Sequence, residues 1–353
     1  MFHTHTGDGE IISSHPKLTA LQIAAQYSHF TADFLSENHL DYLPGRYTGF
    51  ESVYSLIPNT EVSVNAGKIC RFDFGPESRP TLAVNTAAHN LVNTAHSQLD
   101  YLKSRSPIRP SLSAGLDSRT TLSLLRDIAD EAEFFTYRFT DRKQSDLGDD
   151  KTPTELAERF NLHMCTFYLN RDTPGENFSA IEDMTIQNYY PGSHSRLAAR
   201  AYVQEIPFGL HIRSNIYESG AMYYRRHGWM NAPDTADAKL YAAIATHRKS
   251  TNPLILEAYD EYIETTQVDK IRNTDPLDTY FHEQRLGKFM QKVYIEGDLA
   301  HDVHTLVNHR PTIEAMRSVP VDDQLNDRVQ LTAIEMTWPE LLEIPINGKM
   351  RTP

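Results

Sequence analysis

Between a short lead-in and an apolar-periodic stretch lies the run Ser111-Leu112-Ser113-Ala114-Gly115-Leu116-Asp117-Ser118-Arg119, and no other part of the 353 residues limits the fold so tightly. Pro107-Ile108-Arg109-Pro110 reads as a strand entering it, and Leu122, Leu124, Leu125 and Ile128 follow at helical spacing. The context is therefore strand, tight turn, helix. Ala114 and Gly115 are small enough for a ligand to come close to the backbone. Ser113 and Ser118 offer hydroxyls, and Ser111 and Arg119 bracket the run with further polar groups. The first N–H groups of a helix have no partner within it and favour an anion. Asp117 by itself would repel phosphate, so a carboxylate there makes chemical sense as a holder of Mg2+. The alternative is an ordinary strand-to-helix turn with an acid in its first turn. No Gly-Lys-Ser/Thr follows, which excludes a Walker-type loop.

Charge narrows the partners. The net charge is −13, and the basic clusters Arg225-Arg226-His227 and His247-Arg248-Lys249 are short, so nucleic acid is disfavoured. The chain is 40% hydrophobic and 23% charged, as expected of a globular protein with a substantial core. No run of about 18 apolar residues occurs, so no membrane span is expected. The start, Met1-Phe2-His3-Thr4-His5, lacks the basic-then-apolar pattern of a signal peptide. Cys70 and Cys165 are too few for a disulfide framework, which points to the cytoplasm, and both are expected as buried structural thiols. His3/His5 and His301/His304 lack further ligands at metal-binding spacing.

Along the chain, Leu18, Leu21, Ile23, Ala24, Tyr27, Phe30 and Phe34 predict a helix over about 17–40. Residues 60–64 alternate as a strand before the turn signal Asn65-Ala66-Gly67. Phe134 to Phe139 reads as a second strand after the loop. A helix opening near Asp149-Asp150 and a third strand at 162–167 follow. That rhythm implies a parallel α/β sheet. The final third is mainly helical, with a strong helix candidate at 279–289.

The loop resembles the S-G-G-x-D-S signature of the N-type ATP pyrophosphatases and is most similar to their asparagine synthetase-like branch, with Ala114 where a glycine usually stands. Residues 45–349 follow the order of the synthetase half of that family. Leu43-Pro44-Gly45 and the hairpin after it are similar to the tail of its glutaminase domain. The family's glutaminase nucleophile, a cysteine after the initiator Met, is replaced by Phe2. Residues 1–75 are therefore expected to be a vestigial N-terminal piece and 76–353 an ATP pyrophosphatase domain. The resemblance implies an α/β fold: a doubly wound, mainly parallel sheet of the adenine nucleotide alpha hydrolase type. A helical C-terminal part and a short N-terminal α+β piece would complete it.

The resemblance also implies roles. Ser111, Ser113, Ala114, Gly115, Ser118 and Arg119 would cradle the phosphates of ATP, and Tyr137 and Arg138 would lie at the adenine. Asp117 and Glu218 would hold Mg2+, Glu218 being the one acid left in Ser214-Asn215-Ile216-Tyr217-Glu218, where the family has a glycine-rich acidic segment. Lys349 would face the departing pyrophosphate, with Asp117 beside it in catalysis. Asn308 stands where the family has a glutamate, so a proton-accepting dyad there is not expected, and Arg310 is read as structural or substrate-orienting. The implied activity is an AMP-forming ligase. It would adenylate a carboxylate or amide on a small-molecule or peptide acceptor, then form an amide, in specialised-metabolite, peptide-modification or glycan biosynthesis. The amine would be ammonia, ammonia from a separate glutaminase, or an amine of the substrate. Residues 170–205 are expected at the acceptor. A non-catalytic nucleotide-binding scaffold is the alternative reading, a sulfur nucleophile is a third, and homo-oligomerisation is left open.

Overall fold

A computed structural model describes residues 1–7, 9–28, 34, 42–105, 107–139, 151–169, 208–227, 252–298 and 300–353. They fall into two compact units. One is drawn from Met1–Arg79 and Tyr224–Leu299, the other from Pro80–Pro174, Leu197–Tyr223 and Ala300–Pro353. The N-terminal segment thus shares its unit with helices from the far side of the chain.

In the first unit, β1 (Phe2–Thr6) pairs antiparallel with β2 (Gly9–Ser13) and β3 (Tyr54–Ser55). The helix Pro16–Gln22 packs on this sheet, and Phe2, Ala20, Phe50, Val53 and Ile295 form the core. The helix is shorter than its periodicity predicts. Ala24 takes a left-handed φ of 51°, and Tyr27 then bridges to Phe50 as in a strand. The remainder of the expected helix lies largely outside the described residues. The hairpin is present as β4 (Thr60–Ser63) and β5 (Lys68–Arg71). Gly67 closes its turn at φ 59°, with its N–H on Ser63 O at 2.8 Å. The left-handed φ favours glycine, and a Cβ there would also displace the exposed His5 ring, whose Nδ1 would lie 2.0 Å away.

Two long helical segments also belong to this unit. Pro253–Thr266 is capped by the Asn252 side chain on Leu254 N–H, and Pro276–Gly297 by Asp275 on Leu277 N–H. Proline in the first turn costs neither helix a needed donor. Over Phe281–Met290 the second widens into a π-helix, turning Glu283, Gln284 and Lys288 inward. Glu283 accepts Arg71 Nη1 and Nη2 at 2.6 and 2.8 Å, Tyr262 Oη at 2.6 Å and Asn59 Nδ2 at 2.9 Å. Lys288 Nζ donates to Tyr47 O at 2.7 Å and Ser55 Oγ at 2.9 Å.

Burial, reinforced by the nearby Arg46 guanidinium, pulls the Lys288 ammonium down to about 7. The sign of the linkage follows. Between that value and the ordinary 10.5, the unfolded chain binds more protons than the folded one, so stability rises with pH across this window. Denaturant titrations at pH 7, 8, 9 and 10 are expected to show this rise, and Lys288→Met to flatten it. An unchanged slope in the variant would mean that Lys288 is not the group responsible.

The second unit is built on a parallel sheet. β6 (Ile108–Pro110) pairs with β9 (Leu210–Ile212), which pairs with β10 (Asp302–His304), all parallel. β7 (Phe134–Phe139) pairs parallel with β8 (Met164–Leu169). Parallel bridges Ile108↔Ala132 and Ser111↔Phe135 join the two pieces, giving the order β10-β9-β6-β7-β8. Read from the β8 edge and counted in chain order among the described strands of the unit, this is 3-2-1-4-5, the doubly wound arrangement. Helices Val84–His96, Leu116–Leu124, Arg310–Arg317 and Arg328–Thr337 pack with it, and Leu91, Ile108, Leu124, Ile212, Ile313 and Ala333 share one core. Leu112, Leu122, Phe134, Leu156, Leu331 and Ile344 share a second. Thr152–Phe160 precedes β8 as expected, whereas Asp149 and Asp150 lie outside the described residues. One expectation is corrected: Cys165 is exposed and Cys70 is half-buried, because alternation along β8 and β5 directs neither fully into a core.

Candidate functional site

In a doubly wound sheet the strand order reverses where the first and fourth strands lie side by side. Their connections leave in opposite directions and open a crevice at the carboxyl ends. Here those strands are β6 and β9, and each is followed by one of the two motifs singled out in the sequence. The ladder extends into both: Ser111 N–H reaches Ile212 O at 3.4 Å, and Leu112 N–H reaches Phe135 O at 2.8 Å.

Gly115 is the N-cap of Leu116–Leu124, with extended φ and ψ of −76° and 164°, and no side chain caps this helix. The first amides of a helix have no partner within the helix itself, and such an end favours an anion. A Cβ on Gly115 would make only ordinary contacts, 3.4 Å to Ser113 Oγ and 3.8 Å to Asn347 Oδ1. Internal packing does not demand glycine there, and the bare Cα leaves room for a ligand over the loop. Ala114 is buried and stays outside the left-handed region, so its methyl group is accommodated where the family has glycine.

The loop braces itself internally. Ser118 Oγ accepts Ser113 N–H at 3.1 Å, lies 2.9 Å from Ser113 Oγ and also meets the Ser113 and Gly115 carbonyls. Ser113 Oγ in turn accepts Gly115 N–H at 3.2 Å. The buried Ser118 hydroxyl thus shapes the loop from within. Arg119 departs from the sequence expectation. It is 0% exposed, with Nη1 donating to Leu341 O at 2.6 Å and Ile344 O at 3.0 Å and Nη2 to Pro345 O at 3.4 Å. Arg119 is three residues from both Leu116 and Leu122, on the buried stripe of the helix, which draws its guanidinium inward and away from phosphate.

The segment after β9 packs on the helix that follows this loop. Ile216 is buried at φ 81°, a left-handed conformation costly for a β-branched residue. Packing holds it there: Tyr217 Oη meets Thr121 Oγ1 at 2.9 Å, Gln330 Nε2 reaches Tyr217 O at 3.1 Å, and Arg317 Nε reaches Ser219 O at 3.0 Å. Thr121 lies one helical turn beyond Asp117. Burial pushes the Tyr217 hydroxyl up; the Thr121 hydrogen bond opposes this, and the charges of Asp117 and Glu218 add to it more weakly. The Ser214 hydroxyl is buried with no hydrogen-bond partner among the described residues. No group of three or more metal-ligating side chains occurs among those residues. Two carboxylates suit magnesium, which takes one or two together with phosphate oxygens and water.

Lys349 closes the turn Ile346–Lys349, with Ile346 N–H on Lys349 O at 2.8 Å and the reverse bond at 3.1 Å. Asn347 and Gly348 have φ of 49° and 73°, the type I′ pattern that favours Asn-Gly. Asn347 N–H donates to Ala114 O at 2.9 Å, which seats the turn on the loop. On β7, Thr136 is buried, Tyr137 is exposed and Arg138 reaches Thr154 Oγ1 at 3.4 Å; all lie toward the end of the sheet that carries the loop. Arg310 is exposed at the start of its helix, and Asn308 is exposed before it. The acceptor segment expected at 170–205 lies outside the described residues.

One pair escaped sequence reading. His211 Nδ1 lies 2.9 Å from His301 Nε2, both rings buried, because β9 and β10 are neighbours. Burial, then the Arg213 charge, drives His211 well below its ordinary value and His301 to about 4, so both are neutral near pH 7. No helix among the described residues is long and apolar enough to cross a membrane.

No family model matches the chain, and no curated protein matches it. Among solved structures it is similar to an NMN synthetase from Francisella tularensis, at 13% identity over 77% of this chain and 98% of that one, with a TM-score of 0.28. That degree of superposition assigns no residue a role.

Proposed function

We propose that the second unit binds ATP with magnesium and catalyses an AMP-forming ligation. The observation that carries this reading is the uncapped, internally braced loop Ser111–Ser118 at the reversal point of a 3-2-1-4-5 parallel sheet, with Glu218 on the neighbouring motif. The amides opening Leu116–Leu124 receive phosphate oxygens, and Ser113 and Gly115 keep the loop close to them. Asp117 and Glu218 hold magnesium, which supplies neutralisation of the β and γ phosphates. An acceptor carboxylate attacks the α phosphorus, and the bond to the bridging oxygen of the β phosphate breaks. Lys349 stabilises the negative charge that develops on the departing pyrophosphate. An amine then displaces AMP from the acyl-adenylate and leaves an amide. Tyr137 and Arg138 border the adenine. The acceptor is a small molecule or a peptide, and the amine is ammonia, including that of a separate glutaminase, or belongs to the substrate.

Calorimetric titration of the full chain with ATP and magnesium tests the first requirement. Saturable one-site binding is expected. Hydroxylamine added with ATP and a panel of carboxylates is then expected to give hydroxamate, AMP and pyrophosphate for the right acceptor class. A folded chain that binds no ATP at any magnesium concentration would end the enzymatic reading.

A further inference from the structure

The phosphate loop and the C-terminal segment are more than two hundred residues apart, yet they are tied at two points. From the helix, Arg119 gathers the carbonyls of Leu341, Ile344 and Pro345. From the loop, Ala114 O receives Asn347 N–H at 2.9 Å. The second tie falls inside the type I′ turn that ends in Lys349, directly after the carbonyls that Arg119 holds. The segment has little regular structure of its own: a short 3-10 turn over Pro339–Glu343 precedes extended backbone at Ile344. Buried carbonyls in such a segment need donors. A guanidinium can serve several at once in a fixed planar fork, which an ammonium cannot. The same helix carries Asp117 two residues earlier, so one rigid element sets both the carboxylate and the clamp.

We infer that Arg119 is a positioning residue for Lys349, holding the C-terminal turn on the phosphate loop so that the ammonium stands at the pyrophosphate side of the site. The inference rests on the ATP reading above for the role of Lys349, and on geometry alone for the clamp.

The experiment compares wild type, Lys349→Met, Arg119→Gln, Arg119→Lys, Gly348→Val and the double variant Arg119→Gln/Lys349→Met. The probes are ATP, inorganic pyrophosphate and AMP, each with magnesium. Lys349→Met is expected to weaken pyrophosphate and ATP about tenfold or more, as loss of a charge-assisted contact does, and to leave AMP unchanged. Arg119→Gln is expected to give the same loss, and the double variant no more than either single one. Gly348→Val reaches the turn from solvent, since no atom lies within 4 Å of a Cβ there while φ is +73°. It is expected to reproduce the loss with the Arg119 clamp intact, which separates placement of the turn from the clamp. Arg119→Lys, which keeps the charge without the planar fork, is expected to show the Arg119→Gln loss and stands in for it if Arg119→Gln fails to fold. Hydrogen exchange in Arg119→Gln is expected to speed up over 341–349 while Leu116–Leu124 stays protected. Full pyrophosphate affinity in folded Arg119→Gln and Gly348→Val, additive losses in the double variant, or unchanged exchange over 341–349 would each overturn the inference. If wild type binds neither ATP nor pyrophosphate, the ATP reading fails. The exchange pattern then still decides whether Arg119 clamps the segment.

Discussion

Asp117→Ala is expected to weaken ATP binding on the order of a hundredfold when magnesium is present, and to leave it unchanged or tighten it when magnesium is removed. The opposite signs come from two physical terms. Asp117 lies in the first turn of Leu116–Leu124, where the helix dipole stabilises a carboxylate by about 0.3–1 kcal/mol. The same charge repels a phosphate approaching the uncapped amides. Without a cation, removing it relieves that repulsion. With magnesium, the proposed role makes Asp117 one of the residues that would hold the ion, so deleting it would remove a ligand that water replaces less well. A plain anion site would show improvement in both conditions, so calorimetry with and without a chelator separates the two. Glu218→Gln is expected to follow the same signs. Equal loss in both conditions would point to a damaged loop and would remove the metal assignment.

Arg71→Met is expected to cost the first unit about 3–5 kcal/mol, because it strands the Glu283 carboxylate in a fully buried position. The bidentate pair joins β5 to the π-helical stretch, and Tyr262 and Asn59 donate to the same carboxylate. Arg71 Nε also serves Thr266 O at 2.6 Å, so a further acceptor is orphaned. Adding Glu283→Leu removes the stranded charge and is expected to recover part of the loss. Recovery is incomplete because the Tyr262 hydroxyl, the Asn59 amide and the Thr266 carbonyl lose their partner. Chemical denaturation of the full chain, followed by near-ultraviolet circular dichroism, reads both variants. A single-variant loss below about 1 kcal/mol would mean that water reaches the pair and screens it, as at a surface ion pair.

Much of the site is legible in residue order. The loop declares itself through small residues, hydroxyls and one carboxylate between a strand and a helix, and the structure places that run at a helix opening. The hairpin before it is announced by alternation and by Gly67. Arg119 shows where adjacency misleads. It borders the loop in sequence, but a helix repeats every 3.6 residues, and that period carries it to the buried stripe. Its spacing from Leu116 and Leu122 was the signal that could have revealed this. Cys165 likewise followed strand alternation rather than the general tendency of thiols to be buried. The π-helical stretch was unreadable, since an apolar pattern measured at α-helical spacing cannot foresee a widened turn that directs Glu283, Gln284 and Lys288 inward.

Residue order alone determined what is local: the strand, turn and helix around Ser111–Ser118, the caps at Asn252 and Asp275, and the Asn-Gly turn before Lys349. These depend on torsions and spacings within about ten residues. Only the tertiary structure decided that β6 and β9 are neighbours, that His211 meets His301, that Arg71 is neutralised by Glu283 and that Arg119 holds the chain two hundred residues away. Each of these pairings joins faces from distant segments. Which faces meet is set by the burial of apolar area and the need to satisfy every enclosed polar group, quantities that exist only once the whole chain has packed.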